Sequence, residues 1–367
     1  MSTDYYRPSL LNIFRWKGSI IPFVILPTFI LTSFTAVIAA LHIKTNIKLS
    51  IPQSFTLIPV TSFAIALLLT YRLNSACDKY WESRKTWSAM VCAIRNLTRF
   101  IWIDVKNVNK TDEKEEREIL IEKKVAIKLL IGFAIALKHY LREEEGNILE
   151  DVKPYLNIKS SLPGFENLNR LDEVITENQK PNTSSFIKKK KQPIIELKPN
   201  LPLEISLYIS GYITTQLRKK RIEPTIASNM LTIINLLVEY ITRFERILKT
   251  PLPIAFSIHL YQTLWVYCLS LPFQLVASVG WITIVIVFFV SFILFGVERI
   301  AAEVQNPFGY GYNHFDLDYF CETVKREITA IIKHDPPDDS HWVFDVENKN
   351  ITFQSTEDEG ANNEVHE

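Results

Sequence analysis

The chain is poor in the residues that usually announce chemistry. Its four cysteines, Cys77, Cys92, Cys268 and Cys321, are scattered without a CxxC pair, so free thiols are expected. It has no GxSxG, no HExxH and no glycine-rich phosphate loop, and its seven histidines are dispersed. An enzyme therefore has no constellation to be built from, and no cofactor or nucleic-acid partner is indicated. The most telling absence is of charge. Gly18 to Ile43, Leu49 to Tyr71 and Thr250 to Val297 contain no Asp, Glu, Lys or Arg.

What is present follows from those gaps. The hydrophobic content of 47% is concentrated in the charge-free runs, and the third is long enough for two crossings at about 20 residues each. Four membrane spans are predicted, at about 18–43, 52–72, 251–273 and 278–298, the last two separated by an uncharged turn around Pro272 to Gly280. The first begins too late and is too long for a cleaved signal peptide. Trp16 and Lys17 suit an anchor at its foot, and Pro22 and Pro27 predict a kink. Arg7, Arg15, Lys17, Arg72, Lys79, Arg84, Lys85, Arg243, Arg246, Lys249 and Arg299 flank the spans on one side, against Lys44 and Lys48 on the other. Both termini and the long middle region are thus expected in the cytosol. Plasma membrane is the default location, with mitochondrial or vacuolar membrane open. The sequons at Asn96, Asn109, Asn182 and Asn350 fall on the cytosolic side, where they stay unglycosylated.

Between the spans, helical spacing predicts cytosolic helices at about 83–103, 119–142, 203–218 and 224–249. The uncharged core Leu129 to Leu137 is too short to cross a bilayer. Pro224 sits where a helix tolerates proline, in its first turn. Residues 143–202 are expected to form a variable proline-containing loop whose basic run Lys188 to Lys191 is either solvated or touches anionic lipid. The acidic stretch 333–367 is expected to be disordered. His259 is expected to be a hydrogen-bonded interfacial histidine. Asp316 and Asp318 beside His314 lack the ligand spacing of a metal site.

The stretch Phe55 to Trp87 stands apart, since no helix breaker follows Pro59 and one helix can leave the bilayer at Arg72 and run on into water. Phe63, Leu67 and Tyr71 recur every four residues and stack on one of its faces. Such a stripe is either core packing or the wall of a narrow apolar passage, and the pattern alone favours packing.

Four blocks then carry a resemblance. Arg72-Leu73-Asn74-Ser75-Ala76-Cys77-Asp78-Lys79-Tyr80-Trp81-Glu82-Ser83-Arg84-Lys85-Thr86-Trp87 resembles the RxNSAYDRxWEARxxW stretch of bestrophin anion channels and their microbial relatives. Glu245-Arg246-Ile247 with Thr250-Pro251-Leu252-Pro253 is similar to their ERIxxTPxP, Glu303 to Gly309 with Asn306-Pro307-Phe308-Gly309 to their ExxNPFG, and Trp16-Lys17-Gly18-Ser19 to their W(K/R)GS. They occur in family order from about Trp16 to Ile332.

The resemblance implies an all-α membrane protein: a pentameric channel with four transmembrane helices per subunit and a cytosolic helical part, over residues 1–332. It puts Phe63, Leu67 and Tyr71 on the family's apolar neck, reversing the balance for that stripe, and aligns the lower constriction with Thr225 and neighbouring Ile226. An uncharged ring gates by dewetting and admits weakly hydrated anions more readily than cations. Helix N-termini aimed at the path add positive potential. Animal members follow NPFG with aspartates that clasp calcium. Here Tyr310-Gly311-Tyr312-Asn313-His314 follow, and Gly311 and His314 stand where carboxylates belong. An animal-type calcium clasp is therefore expected to be absent, with Asn306 and Asp316 leaving room for a weaker site. The implied function is a passive homopentameric channel for chloride or other small monovalent anions in contact with membrane lipid. A sodium-conducting homologue and a non-conducting scaffold or regulatory subunit are the alternatives.

Overall fold

The computed structural model describes residues 16, 18–45, 57–107, 113–144, 148–156, 200–334 and 336. Among the described residues there is no strand, and the helices are α1 (Ile21–Lys44), α2 (Leu57–Asp104), α3 (Glu113–Arg142), α4 (Ile148–Leu156), α5 (Leu201–Arg218), α6 (Pro224–Lys249), α7 (Ile254–Val279), α8 (Ile282–Val304) and α9 (Leu317–Ile331). The chain divides into two compact units. The first comprises Met1–Val91, Ala136–Ile148 and Leu237–Phe320, the second Cys92–Ile135, Leu149–Leu236 and Cys321–Glu367.

In the first unit α1, α7 and α8 pack on one another. Their core contains Val24 and Leu31 of α1, Ile65 and Leu69 of α2, Leu260, Leu264 and Cys268 of α7, and Val287 and Phe295 of α8. Apolar helices in lipid gain nothing from hydrophobic burial against each other, so close approach has to hold them. Small residues supply it: Thr28, Thr35, Ala39, Thr283, Ser291 and Gly296 are buried. The Thr35 and Ser291 hydroxyls donate back to the carbonyls of Leu31 and Val287 at 2.7 Å, which leaves them needing no partner across the interface. A Cβ at Gly296 would lie 3.2 Å from Ile20 Cδ1. The outward faces are apolar too: Phe23, Leu26 and Phe29 on α1 and Ile282, Val285, Phe289 and Ile293 on α8 are exposed. A second core in this unit is aromatic. Phe244 of α6 meets Trp87 of α2 and Phe308 at centroid distances of 6.2 and 5.8 Å, and Phe315 lies 4.5 Å from Tyr80.

The second unit buries the cytosolic helical faces that the sequence spacing predicts. Ile94, Leu97 and Ile101 (α2), Ile127, Leu130 and Phe133 (α3), Ile205, Ile209 and Ile213 (α5) and Met230 (α6) are among its buried side chains. Asn200 starts α5 by accepting the Leu203 amide at 3.2 Å, and Asp316 starts α9 by accepting that of Tyr319 at 3.0 Å.

Several element boundaries differ from the sequence reading. The second span and the helix expected at 83–103 are one 48-residue helix, α2, because nothing after Pro59 breaks it. Helix α7 does not stop at 273. It carries Pro272 in its interior and ends at Gly280, whose φ of 56° combined with ψ of −127° suits only a residue without Cβ. Helix α8 runs past 298 to Val304, and α3 begins at Glu113, where Glu113, Glu115 and Glu116 favour a helix N-terminus. Residues 143–202 are not all loop, since α4 lies within them despite Pro154. By length and composition alone, five helices among the described residues are long and apolar enough to cross a membrane, the four expected spans and α6. Its buried residues Ala227, Met230, Ile234, Leu237, Ile241, Phe244 and Ile247 form a single stripe, as in an amphipathic helix. Lys17, Lys188 to Lys191 and the stretch 337–367 lie outside the described residues.

Candidate pore helix and motif cluster

Helix α2 shows two faces along its apolar half. Ile65, Leu69, Arg72 and Ala76 are buried, whereas Phe63, Leu67 and Tyr71 are 67%, 56% and 59% exposed. The stripe is therefore not core packing within the chain. Tyr71 meets the ring of Phe256 edge-on, at 5.5 Å between centroids. Continuing at the same spacing, Asn74, Asp78, Trp81 and Lys85 are also exposed. The face is apolar for two turns beyond Phe63 and mostly polar after that, with Trp81 the exception.

The motif residues meet within the first unit. Glu82 is ion-paired with Arg246, and Lys79 Nζ donates to the Thr250 carbonyl at 2.6 Å, so the α2 block is tied twice to the Glu245–Pro253 block. Glu245 accepts the Tyr140 hydroxyl, and burial together with the Glu245 charge pushes that phenol above its ordinary range. Arg84 stacks over Phe320 at 4.3 Å. Lys79, Ile247, Leu248, Pro251, Ala302, Gln305 and Asn306 line a cleft of about 240 Å³ where the α2, α6 and NPFG blocks come together. Asn74 and Trp81 are exposed and Phe308 is fully buried. The segment after α8 is held by its own side chains. Asn306 Oδ1 accepts the Phe308 amide at 3.3 Å, and His314 Nδ1 accepts that of Gly311 at 3.0 Å. The Asn313 amide donates to the Gly18 carbonyl at 3.2 Å and to Glu303 at 3.1 Å. Tyr310 lies under the Arg142 guanidinium at 4.4 Å.

His314, Asp316 and Asp318 have separate partners. Asp318 takes Lys138 at 2.9 Å and Arg142 at 2.8 Å. Burial works to raise its pKa, but the hydrogen bonds and charges of Lys138 and Arg142 outweigh it and hold the carboxyl below the ordinary range. Among the described residues no group of three or more His, Cys, Asp or Glu side chains could hold a metal. His259 is exposed and its side chain makes no hydrogen bond among the described residues, contrary to the sequence expectation.

Thr225 and Ile226 occupy the first turn of α6 in the second unit, Thr225 exposed and Ile226 half-buried. Just before them lies a network that sequence spacing gave no sign of. Arg221, nearly buried, reaches Glu122 at 2.9 Å and Glu115 at 3.0 Å, while Gln216 and Lys219 donate to Glu122 at 2.6 and 2.8 Å. Burial raises the Glu122 pKa, yet those hydrogen bonds and the charges of Lys219 and Arg221 bring it below the usual value. Tyr212, beside them with no partner for its hydroxyl among the described residues, is pushed up by burial and by Glu122.

The family model of the Bacterial/Fungal Bestrophin protein matches residues 4–330. The chain belongs to the bestrophin family. Bestrophins are channels and not enzymes, which accounts for the missing catalytic residues, and the chain is an integral membrane protein. It is 35% identical over 338 residues to a voltage-dependent anion channel-forming protein of Nostoc sp., covering 92% of this chain and 96% of that one. A protein of the same description from Synechocystis sp. is 32% identical over 322 residues, covering 88% and 91%. In fold the chain is similar to a mutant bestrophin homologue of Klebsiella pneumoniae, with a TM-score of 0.65 at 20% identity over 87% of this chain and all of that one.

Proposed function

We propose that this bestrophin is a passive channel for chloride or similar monovalent anions, working as a homopentamer in which α2 of each subunit lines a narrow neck at Phe63, Leu67 and Tyr71. The observation that carries it is the exposed α2 face. Phe63, Leu67 and Tyr71 are left uncovered by the rest of the subunit, the same face runs on into Asn74, Asp78, Trp81 and Lys85, and the stripe coincides with the neck that the family resemblance implies. A water-filled path with one greasy constriction has that sequence of surfaces. The names of the Nostoc and Synechocystis relatives support anions as the cargo.

An apolar ring of this kind conducts by wetting and closes by drying, and a weakly hydrated anion sheds its water there more readily than sodium does. Thr225 and Ile226, in the first turn of α6, are the second narrow point in this reading, with a helix N-terminus that favours negative charge. Both termini, α3, α5 and α6 are cytosolic, and the plasma membrane is the site of action. No animal-type calcium clasp operates. His314 fills one of the carboxylate positions and spends Nδ1 on Gly311, while Asn306 spends its oxygen on Phe308.

Reversal potentials of the purified protein in planar bilayers under a NaCl gradient test the reading. A potential near that of chloride is expected. A potential near that of sodium transfers the pore to cations, and no current from intact oligomers makes the chain a scaffold.

A further inference from the structure

Arg72 follows Tyr71 directly on α2 but points into the chain. It is 4% exposed, and its Nε and Nη1 are buried with no hydrogen-bond partner among the described residues. Three charges surround it. Glu298 of α8 attracts it from beyond ion-pair contact, Lys79 repels it from two turns along α2, and Arg299 competes for the same glutamate. Lys79 is itself spent on the Thr250 carbonyl, and Arg299 lies 3.9 Å over the Phe23 ring. Arg72 and Arg299 therefore share Glu298, while Lys79 faces Glu82. Burying an arginine with idle donors is costly, and packing does not call for it, since a leucine or methionine would continue the apolar face of Ile65 and Leu69.

We propose that Arg72 sets the sign of the permeant ion: a ring of these guanidinium groups, one per subunit, stands directly behind the neck and gives an uncharged wall a positive potential. This rests on the neck reading above and deepens it. Phe63, Leu67 and Tyr71 carry no charge, so their surface alone leaves anion and cation nearly equal once either is dehydrated. A charge one residue behind the wall, shielded from water, acts at long range through the low dielectric of packed helices. Because it does not touch the path, it attracts anions without offering a site that would hold them and stop the flow. Arg72 is thus a selectivity-determining residue acting through the wall, with Glu298 as its partial counterweight.

The test compares wild type, Arg72→Gln, Arg72→Lys and Glu298→Gln, each purified as the full oligomer and placed in planar bilayers under a NaCl gradient. Reversal potential is the readout, because it reports selectivity independently of how many channels have folded or opened. Arg72→Gln is expected to lower the chloride-to-sodium permeability ratio about tenfold, as one charge acting through partly screened protein would. Arg72→Lys should keep the wild-type value and Glu298→Gln should strengthen the anion preference. An unchanged ratio in Arg72→Gln, with an anion-selective wild type, overturns the proposal and leaves the neck reading standing. A wild type that passes sodium overturns both. Should Arg72→Gln not assemble, Glu298→Gln decides, since an unshifted potential there means that charge behind the wall is not felt in the pore.

Discussion

Arg221 Nη1 lies 2.9 Å from the Glu122 carboxylate, and its Nη2 holds Glu115 at 3.0 Å, so one nearly buried guanidinium joins two turns of α3 to the residues that precede α6. Thr225 lies four residues beyond it, followed by Ile226. The position of the proposed second narrow point therefore depends on an arginine outside it.

Removing that guanidinium strands two carboxylates in a half-buried place. Arg221→Met is expected to lower stability by about 3 kcal/mol, the usual cost of breaking a largely buried pair. Glu122→Gln costs less, because Lys219 and Gln216 keep acceptors there. Thermal unfolding followed by tryptophan fluorescence in detergent measures both.

Acid should act through Asp318. Its folded-state pKa lies below the ordinary 3.8, so its contribution is complete above that value and is lost as pH falls through the depressed one. Stability curves of wild type and Asp318→Asn are expected to run parallel above about pH 5 and to converge below it. Parallel curves down to pH 2 would show that Lys138 and Arg142 do not hold the ionised form.

At Gly309 the constraint is space. A Cβ there would sit 2.5 Å from His314 Nδ1, so Gly309→Ala must push the ring off the Gly311 amide. A loss of about 1 kcal/mol is expected, the worth of a typical hydrogen bond. Adding His314→Ala should make the glycine substitution nearly neutral, and the double-mutant cycle reads that coupling directly.

The exposed stripe on α2 makes a contrast between stability and conduction. Replacing Phe63, Leu67 and Tyr71 together by Ala removes little buried contact within a subunit, so the unfolding temperature should stay within a few degrees of wild type. Currents should rise of order tenfold, which is about 1.4 kcal/mol off the barrier to wetting the neck. Replacing Ile65 and Leu69 on the buried face should do the reverse, costing stability and leaving single-channel conductance unchanged.

Much of this was legible in the residues. Charge-free runs located α1, the first half of α2, α7 and α8, and the absence of Gly and Pro after Pro59 foretold that α2 runs on past Arg72, though not that it continues unbroken to Asp104. The motif blocks identified the family before any coordinate. Pro272 misled because neighbouring apolar helices tolerate a proline that a solvated helix would not, and Gly280 alone supplied the turn. Arg221 and Glu122, or Arg142 and Tyr310, could not be paired from spacing, since each contact joins segments about a hundred residues or more apart. Periodicity groups Phe63, Leu67 and Tyr71 on one face of α2 and favours packing, whereas all three are exposed on the subunit; it is silent on what that face meets.

The most direct measurement is a cryo-electron microscopy structure of the purified protein in lipid nanodiscs. Five copies of α2 around one axis, with Phe63, Leu67 and Tyr71 stacked as three rings at its narrowest part, are expected. A single subunit in lipid, or an assembly in which those three side chains face acyl chains or a neighbour's helix, would contradict the channel reading.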